Sequence, residues 1–411
     1  LTEQYYPIAQ ITEFLIPIVP MDKLQSGETQ SGETQSGETQ SGETQINAIQ
    51  TETLNLLEWP RLCQHLSTFA ATKLGKIAAQ ALPIPRRRSD SLALLAQTRE
   101  VYDLELKLAN GLPFQGIEDI GPYLDHVARN GILTGEALIH IATTLAGMRL
   151  LRRLIDQEEE ETVPTLGAMV AELRTYPELE KQIYHCIDER GQVQERASEK
   201  LTTIRQKLRS QRDEIYQKLQ RLLQQKANAI QESVITQRDG RFVIPVKASQ
   251  QDAVPGIVHD SSSSGATLYV EPQRVVEGNN RLRQLQRQER TEEERICQAL
   301  SEEVALVQPD LEQLLAIATT LDLATARARY SLWLGANPPR LFAETDTDET
   351  ITLRNLCHPL LVWQQHYEQG PTVVPINLQI APQIRVVAIT GPNTGGKTGY
   401  PKNPGSGHGH G

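Results

Sequence analysis

No two cysteines in this sequence stand close enough to suggest a metal knuckle or a disulfide framework. Cys63, Cys186, Cys297 and Cys357 are scattered and form no CxxC pair, a usage that fits a reducing, cytoplasmic compartment. Aromatic residues are scarce as well, at 5% of 411. No paired aromatics of the kind that stack RNA bases occur, and the composition suits long helices better than a β-sandwich. A basic excess is also lacking. Lys and Arg number 41 against 51 Asp and Glu, a net charge of -10, which excludes a wholly basic nucleic-acid coat protein but leaves room for a local patch. No apolar run approaches the ~18–20 residues of a membrane helix. The apolar stretch Ile8–Pro20 is interrupted by Thr, Glu and two prolines and has no basic leader. It reads as neither signal peptide nor membrane anchor.

Both ends differ in texture from the middle. Gln25–Thr44 is four copies of Gln-Ser-Gly-Glu-Thr, a unit with no apolar residue to pack, so residues 1–45 are expected to be a disordered, low-complexity leader. Residues 399–411, GYPKNPGSGHGHG, are expected to be a disordered tail, since glycine and proline prevent a helix there. His408 and His410 are too few to define a metal site.

Between these ends the pattern is helical. Residues 46–195 carry amphipathic stretches at Ser91–Leu108, Thr134–Glu161 and Leu166–Tyr176, with Pro60 suited to a first helical turn. From Arg196 to Val234 there is neither Gly nor Pro, and Leu201, Ile204, Leu208, Ile215, Leu219 and Leu222 keep one narrow apolar seam. A helix through that whole span would be ~58 Å long, and its seam requires a partner. Pro272–Val307, with Val275, Leu282, Leu285, Ile296 and Leu300, supplies one. Short β-rich runs at Arg241–Lys247, Pro255–His259 and Gly265–Glu271 lie between the two. Residues 196–307 therefore read as an antiparallel helical arm with a small sheet at its tip, and 308–335 as a returning helix. The expected fold class is mainly α, followed from residue 336 to 398 by the start of an α/β nucleotide-binding domain.

Charge points to a task for the arm. Residues 196–247 hold twelve Lys/Arg against five Asp/Glu, a net +7 in a chain of net -10. A phosphate-contacting arm on an acidic body would show such asymmetry, although a long helix also solvates basic side chains or pairs them with acids such as Glu289 and Glu292–Glu294. Arg238, Arg241 and Lys247, in and beside the β-rich island, are the candidate nucleic-acid contacts. His259, Asp260 and Ser261–Ser264 fall in a turn, where serine and glycine serve backbone geometry rather than hydrolysis.

A second motif is sharper. Ile384–Thr390 reads as a buried strand, and Gly391, Pro392, Asn393, Thr394, Gly395, Gly396, Lys397 and Thr398 follow at once as GxxxxGKT. Glycines let backbone N–H groups curl around a β-phosphate, Lys397 reaches the β and γ oxygens, and the Thr398 hydroxyl is placed to ligate Mg²⁺.

The GPNTGGKT loop resembles that of the MutS superfamily of DNA-repair ATPases. GRFVIPVKASQQDAVPGIVHDSSSSGATLYVEPQRVVEGNNRL (Gly240–Leu282) is similar to the bacterial MutS-two branch, as are TLNLLEWPRL (Thr53–Leu62) and LRNLCHPLL (Leu353–Leu361). The resemblance covers about Ile46 to Thr398. It implies a helical core and lever (46–195 and 308–335), an arm with a clamp (196–307), and an ATPase domain that dimerises around ATP and Mg²⁺. It further implies clamping of branched or mismatched DNA in repair and suppression of recombination, with nuclease activity in a C-terminal domain. Some members act in ribosome rescue, which keeps the ribosome as the alternative target and a non-catalytic coiled-coil scaffold as a third. The chain departs from the pattern after Thr398, where Gly399-Tyr400-Pro401 replaces the expected helix. The later Asp/Glu motif, the signature loop and the nuclease domain are not in the sequence, and no catalytic base can be assigned. The expectation is a fragment broken just after the phosphate loop and inactive as an ATPase.

Overall fold

The structure is a computed structural model, and it describes residues 52–85, 87–343, 348–384 and 386–387. The expected leader (1–45), the phosphate loop (391–398) and the tail (399–411) lie outside the described residues. In chain order the helices are α1 (Trp59–Ser67), α2 (Lys73–Gln80), α3 (Arg88–Lys107), α4 (Gly121–Ala128), α5 (Gly135–Asp156), α6 (Pro164–Ala171) and α7 (Pro177–Cys186). Helix α8 (Glu199–Gln225) follows, then strands β1 (Thr236–Arg238), β2 (Arg241–Lys247), β3 (Gly256–Ser261) and β4 (Thr267–Pro272). Two further long helices come next, α9 (Gln273–Leu306) and α10 (Gln308–Leu334), and then β5 (Ile351–Leu356), α11 (Pro359–Tyr367) and β6 (Ile376–Ile380). The chain is mainly helical, as its composition requires, with small antiparallel sheets. Among the described residues no helix is long and apolar enough to cross a membrane.

Two compact units divide these elements. One comprises the described residues up to Phe114, Arg153–Glu172 and those from Ala316 onward. Its hydrophobic centre includes Leu66, Ala78, Ala79, Leu323 and Ala326. Small residues let α2 and α10 approach so closely that a Cβ on Gly75 would lie 2.0 Å from Asp322 Oδ2. The buried Asp322 carboxylate accepts from Ala71 N, Thr72 N and Thr72 Oγ1 at 2.9, 2.7 and 2.6 Å. It thereby satisfies two amides just before α2 and orients the Thr72 hydroxyl, which accepts from Gly75 N and caps that helix. Glu100 serves α6 in turn, accepting from Thr165 N and Leu166 N. The pair β5–β6 is antiparallel, with a register shift between Leu353 and Leu356.

The other unit comprises Gln115–Arg152 and Leu173–Leu315, and it contains the arm. Helices α8 and α9 pack along the predicted seam, with Leu208, Ile215, Leu219, Leu222, Val275 and Leu282 buried in one cluster. That cluster runs on into Phe242, Ile244, Val246 and Val270 of the sheet, so the arm and its tip share one core. The sheet is wholly antiparallel, in the order β1-β2-β4-β3. Asp239 and Gly240 both have positive φ, 48° and 72°, the two left-handed positions a tight hairpin between β1 and β2 needs. Pro245 occupies an interior strand without breaking a rung toward β4. Its carbonyl accepts from Gln231 N, and its missing N–H faces the same side, beyond the end of β1.

One expectation is corrected. The outgoing helix spans 27 residues, ~40 Å, rather than the full stretch to Val234. The seam ends at Leu222 and Leu223, and the sheet claims the chain beyond it. Lys247 N donates to Ala229 O and Gln231 N to Pro245 O, while Ile230 is buried against the sheet residues. A lack of Gly and Pro permits a helix but does not compel one where backbone groups find partners in a neighbouring strand.

Candidate nucleic-acid interface

At the tip, three polar side chains from the sheet and the start of α9 converge on one carboxylate. Glu271, in β4, is fully buried. It accepts from Arg241 Nη1 at 2.8 and 3.1 Å, Asn279 Nδ2 at 2.8 Å and His259 Nε2 at 2.6 Å. A register shift between Val258 and Asp260 places His259 at a bulge in β3. An unpaired buried carboxylate is costly; this one has three donors. Arg241 Nη2 also donates to Asn280 Oδ1 at 2.6 Å, so both terminal nitrogens of the guanidinium are engaged.

The other two candidates are engaged less deeply. Arg238 donates from Nε to Asp260 Oδ2 at 2.9 Å, and its guanidinium carbon lies 4.0 Å over the Tyr269 ring, a cation–π arrangement. Lys247 donates to Asn228 O at 3.0 Å. Arg238 and Lys247 are thus partly engaged by the tip's own architecture, and Arg241 is engaged through both of its terminal nitrogens.

The arm itself divides by charge. In its basal half, ion pairs within and between the helices are the rule. Arg205 reaches Glu289 and Glu293 at 2.8 and 2.7 Å, and Arg209 reaches Glu195 at 2.7 Å. Lys200 and Arg295 flank the buried Glu292 at 2.8 and 2.7 Å, and Ser198 Oγ donates to it at 3.0 Å. Arg295 above all, with Lys200 and Ser198, holds the Glu292 carboxyl at about 2 against the opposing effect of burial. The half nearer the sheet differs. Residues 212–226 and 273–290 hold nine Lys/Arg against four Asp/Glu, while 199–211 and 291–306 hold five against six. Among the described residues, Arg212, Arg221, Arg283, Arg287 and Arg290 have no ion-pair partner and are all exposed.

The basic character of α9 is not apparent from a charge count ending at Lys247. The spacing of Arg283, Arg287 and Arg290, +4 then +3, is nonetheless visible in RLRQLQRQER, and it sets three arginines on one helical face. Among the described residues no cluster of His, Cys, Asp and Glu has the makings of a metal site.

This geometry defines a class: a helical-arm protein whose paired α8 and α9 carry a small antiparallel sheet and a concentration of positive charge. No family model matches the chain. It is 59% identical over 350 residues to Endonuclease MutS2 of Synechocystis sp., an alignment covering 85% of this chain and 42% of that protein. Proteins of the same name from Thermomicrobium roseum and Finegoldia magna are 35% and 33% identical, over 85% and 84% of this chain and 44% and 43% of theirs. The chain belongs to the MutS2 family, and it spans somewhat less than half the length of these relatives.

Proposed function

We propose that this chain carries the DNA-grasping arm of a MutS-like DNA-binding ATPase and, in Gly391–Thr398, its phosphate-binding loop. The observation that carries the reading is the arm. Two long helices share a core with a four-stranded sheet, and the cations near that sheet are in excess and largely unpaired. Such a surface suits phosphodiester backbones, which attract cations irrespective of sequence. Kinship with proteins named endonucleases supports DNA as the polyanion. Branched or mismatched duplexes are the proposed targets, because a grasping arm gains from a junction's converging backbones. ATP with Mg²⁺ is the proposed ligand of the loop, through Lys397 and Thr398. No cleavage step is assigned to any residue of the chain.

The test is fluorescence anisotropy with the full chain, comparing a labelled four-way DNA junction, a linear duplex of equal length and purified ribosomes. Tighter binding to the junction than to the duplex, weakening steeply with salt, is the expected result. Tighter binding to ribosomes would assign the arm to RNA, and salt-independent association would remove the phosphate-contact reading.

A further inference from the structure

We infer that Arg212 of α8 and Arg283, Arg287 and Arg290 of α9 form a phosphate-binding ridge for duplex DNA on one flank of the arm, distinct from the cations of the β-tip. The inference rests on the DNA-binding reading above and goes beyond it by locating the contact.

Helix geometry assembles the ridge. Arg283, Arg287 and Arg290 recur at four and three residues, so they share one face and span ~10 Å of helix axis. All three are exposed, whereas Val275, Asn279, Leu282 and Leu285 on the neighbouring face are buried. Arg212 joins them through a chain of observed contacts. Arg205 of α8 reaches Glu289 and Glu293 of α9, and Arg212 lies on the same face of α8, two turns nearer the sheet. Because the helices are antiparallel, that position comes opposite residues 282–286 of α9. Nearer the sheet, Gly278 approaches Ile215 so closely that an added Cβ would lie 3.0 Å from Ile215 Cγ1, which confirms the register. The four arginines thus occupy one flank.

Two observations separate this flank from an ordinary solvated helix face. Charged helices usually pair their cations, and the basal half of this arm does so at Arg205, Arg209 and Lys200. The four ridge arginines form no ion pair among the described residues. Like charges held near one another repel, so the ridge has a standing need for counter-charge. The intervening residues also argue against a protein partner. Gln284, Gln286 and Gln288 are exposed, and no large apolar side chain is exposed between Gln273 and Arg295; on α8 the partly exposed Tyr216 already packs edge-on against Phe242. A protein interface would need such an anchor. Duplex DNA does not: it offers a charge every ~3.4 Å along each strand, and guanidinium groups bind phosphate bidentately. A ridge of ~10 Å matches about three such intervals.

The experiment replaces all four arginines by glutamine in the full chain and follows duplex binding from ~50 to ~200 mM salt. Each lost phosphate contact should reduce the log–log salt slope by ~0.9, so the variant should fall short of the wild type by ~3.6 in slope, about 10² in its affinity change across that range. A second variant, with all four replaced by lysine, keeps the charge and should restore most of the slope, which separates charge from folding. Replacing Arg238, Arg241 and Lys247 should leave the slope of the folded protein nearly unchanged. A wild type that binds duplex steeply with salt, joined to a glutamine variant of unchanged slope, would overturn the ridge alone. A wild type with no salt-dependent DNA binding would overturn the ridge and the DNA reading together. Restoration of the slope by duplex RNA but not DNA would likewise overturn the assignment to DNA.

Discussion

Glu292 shows how much one side chain contributes at the base of the arm. It is buried, yet it is ionised because Arg295, Lys200 and Ser198 converge on it. Its carboxyl titrates at about 2 in the folded chain, against ~4.3 for a free glutamate. A depressed folded value means the unfolded state binds the proton more readily. The associated stability is therefore complete above about pH 5 and lost progressively as pH falls toward 2. Glu292→Gln should lower the urea midpoint at pH 7, where the buried carboxylate loses its charge-assisted contacts with the exposed Lys200 and Arg295 at a cost on the order of 1 kcal/mol. The gap between the two proteins should narrow at pH 3. A difference that stayed constant from pH 7 to pH 3 would show that Glu292 acts through packing instead of charge.

At the scale of elements, the arm was legible because its signals are redundant. Leu201, Ile204, Leu208, Ile215 and Leu219 keep a spacing that only a helix satisfies, and all five are buried. The return helix begins after Pro272 and ends at Leu306, close to the boundaries its apolar residues imply. Three signals were weaker. The three-residue strand β1 has no alternation long enough to read, and it exists because the Asp239-Gly240 hairpin brings Thr236–Arg238 against β2. The end of α8 depends on hydrogen bonds to Pro245 and Lys247, which lie far along the sequence. The fate of Arg241 depends on Glu271, thirty residues away, so its basic charge alone could not show that it would be consumed inside the sheet. The seam itself makes a sharp contrast between neighbours. Leu219 is fully buried between the helices, and truncation to alanine should cost ~2–4 kcal/mol. Lys218, one residue earlier, faces solvent with only Glu214 at 2.7 Å, and its alanine variant should change stability by less than ~0.5 kcal/mol. Chemical denaturation of both variants checks the orientation of α8. Equal losses would mean that the buried seam is misplaced by a residue.

For the molecule as a whole, the decisive property is segregation of charge rather than its total. Residues 196–247 are net +7 while the chain is net -10, so the remainder sums to -17. The added arginines of α9 sharpen the division within the arm. A uniform protein of this net charge would avoid polyanions at every orientation. Here the cations concentrated on α8 and α9 attract them, because at 0.1 M salt a bound ligand feels chiefly the charges within a Debye length of ~10 Å. The full chain should consequently bind two opposite surfaces. At pH 7.5 and ~50 mM salt it should be retained by an anion exchanger, through the acidic remainder, and also by immobilised heparin, through the arm. Replacing Arg212, Arg283, Arg287 and Arg290 by glutamine makes the net charge more negative by four. That variant should elute later than the wild type from the anion exchanger and earlier from heparin. A uniform charge distribution predicts a different outcome: the wild type would pass through heparin unretained, and only the anion-exchange position would move. Retention on both matrices, with opposite shifts in the variant, is the signature of an acidic chain carrying a basic arm.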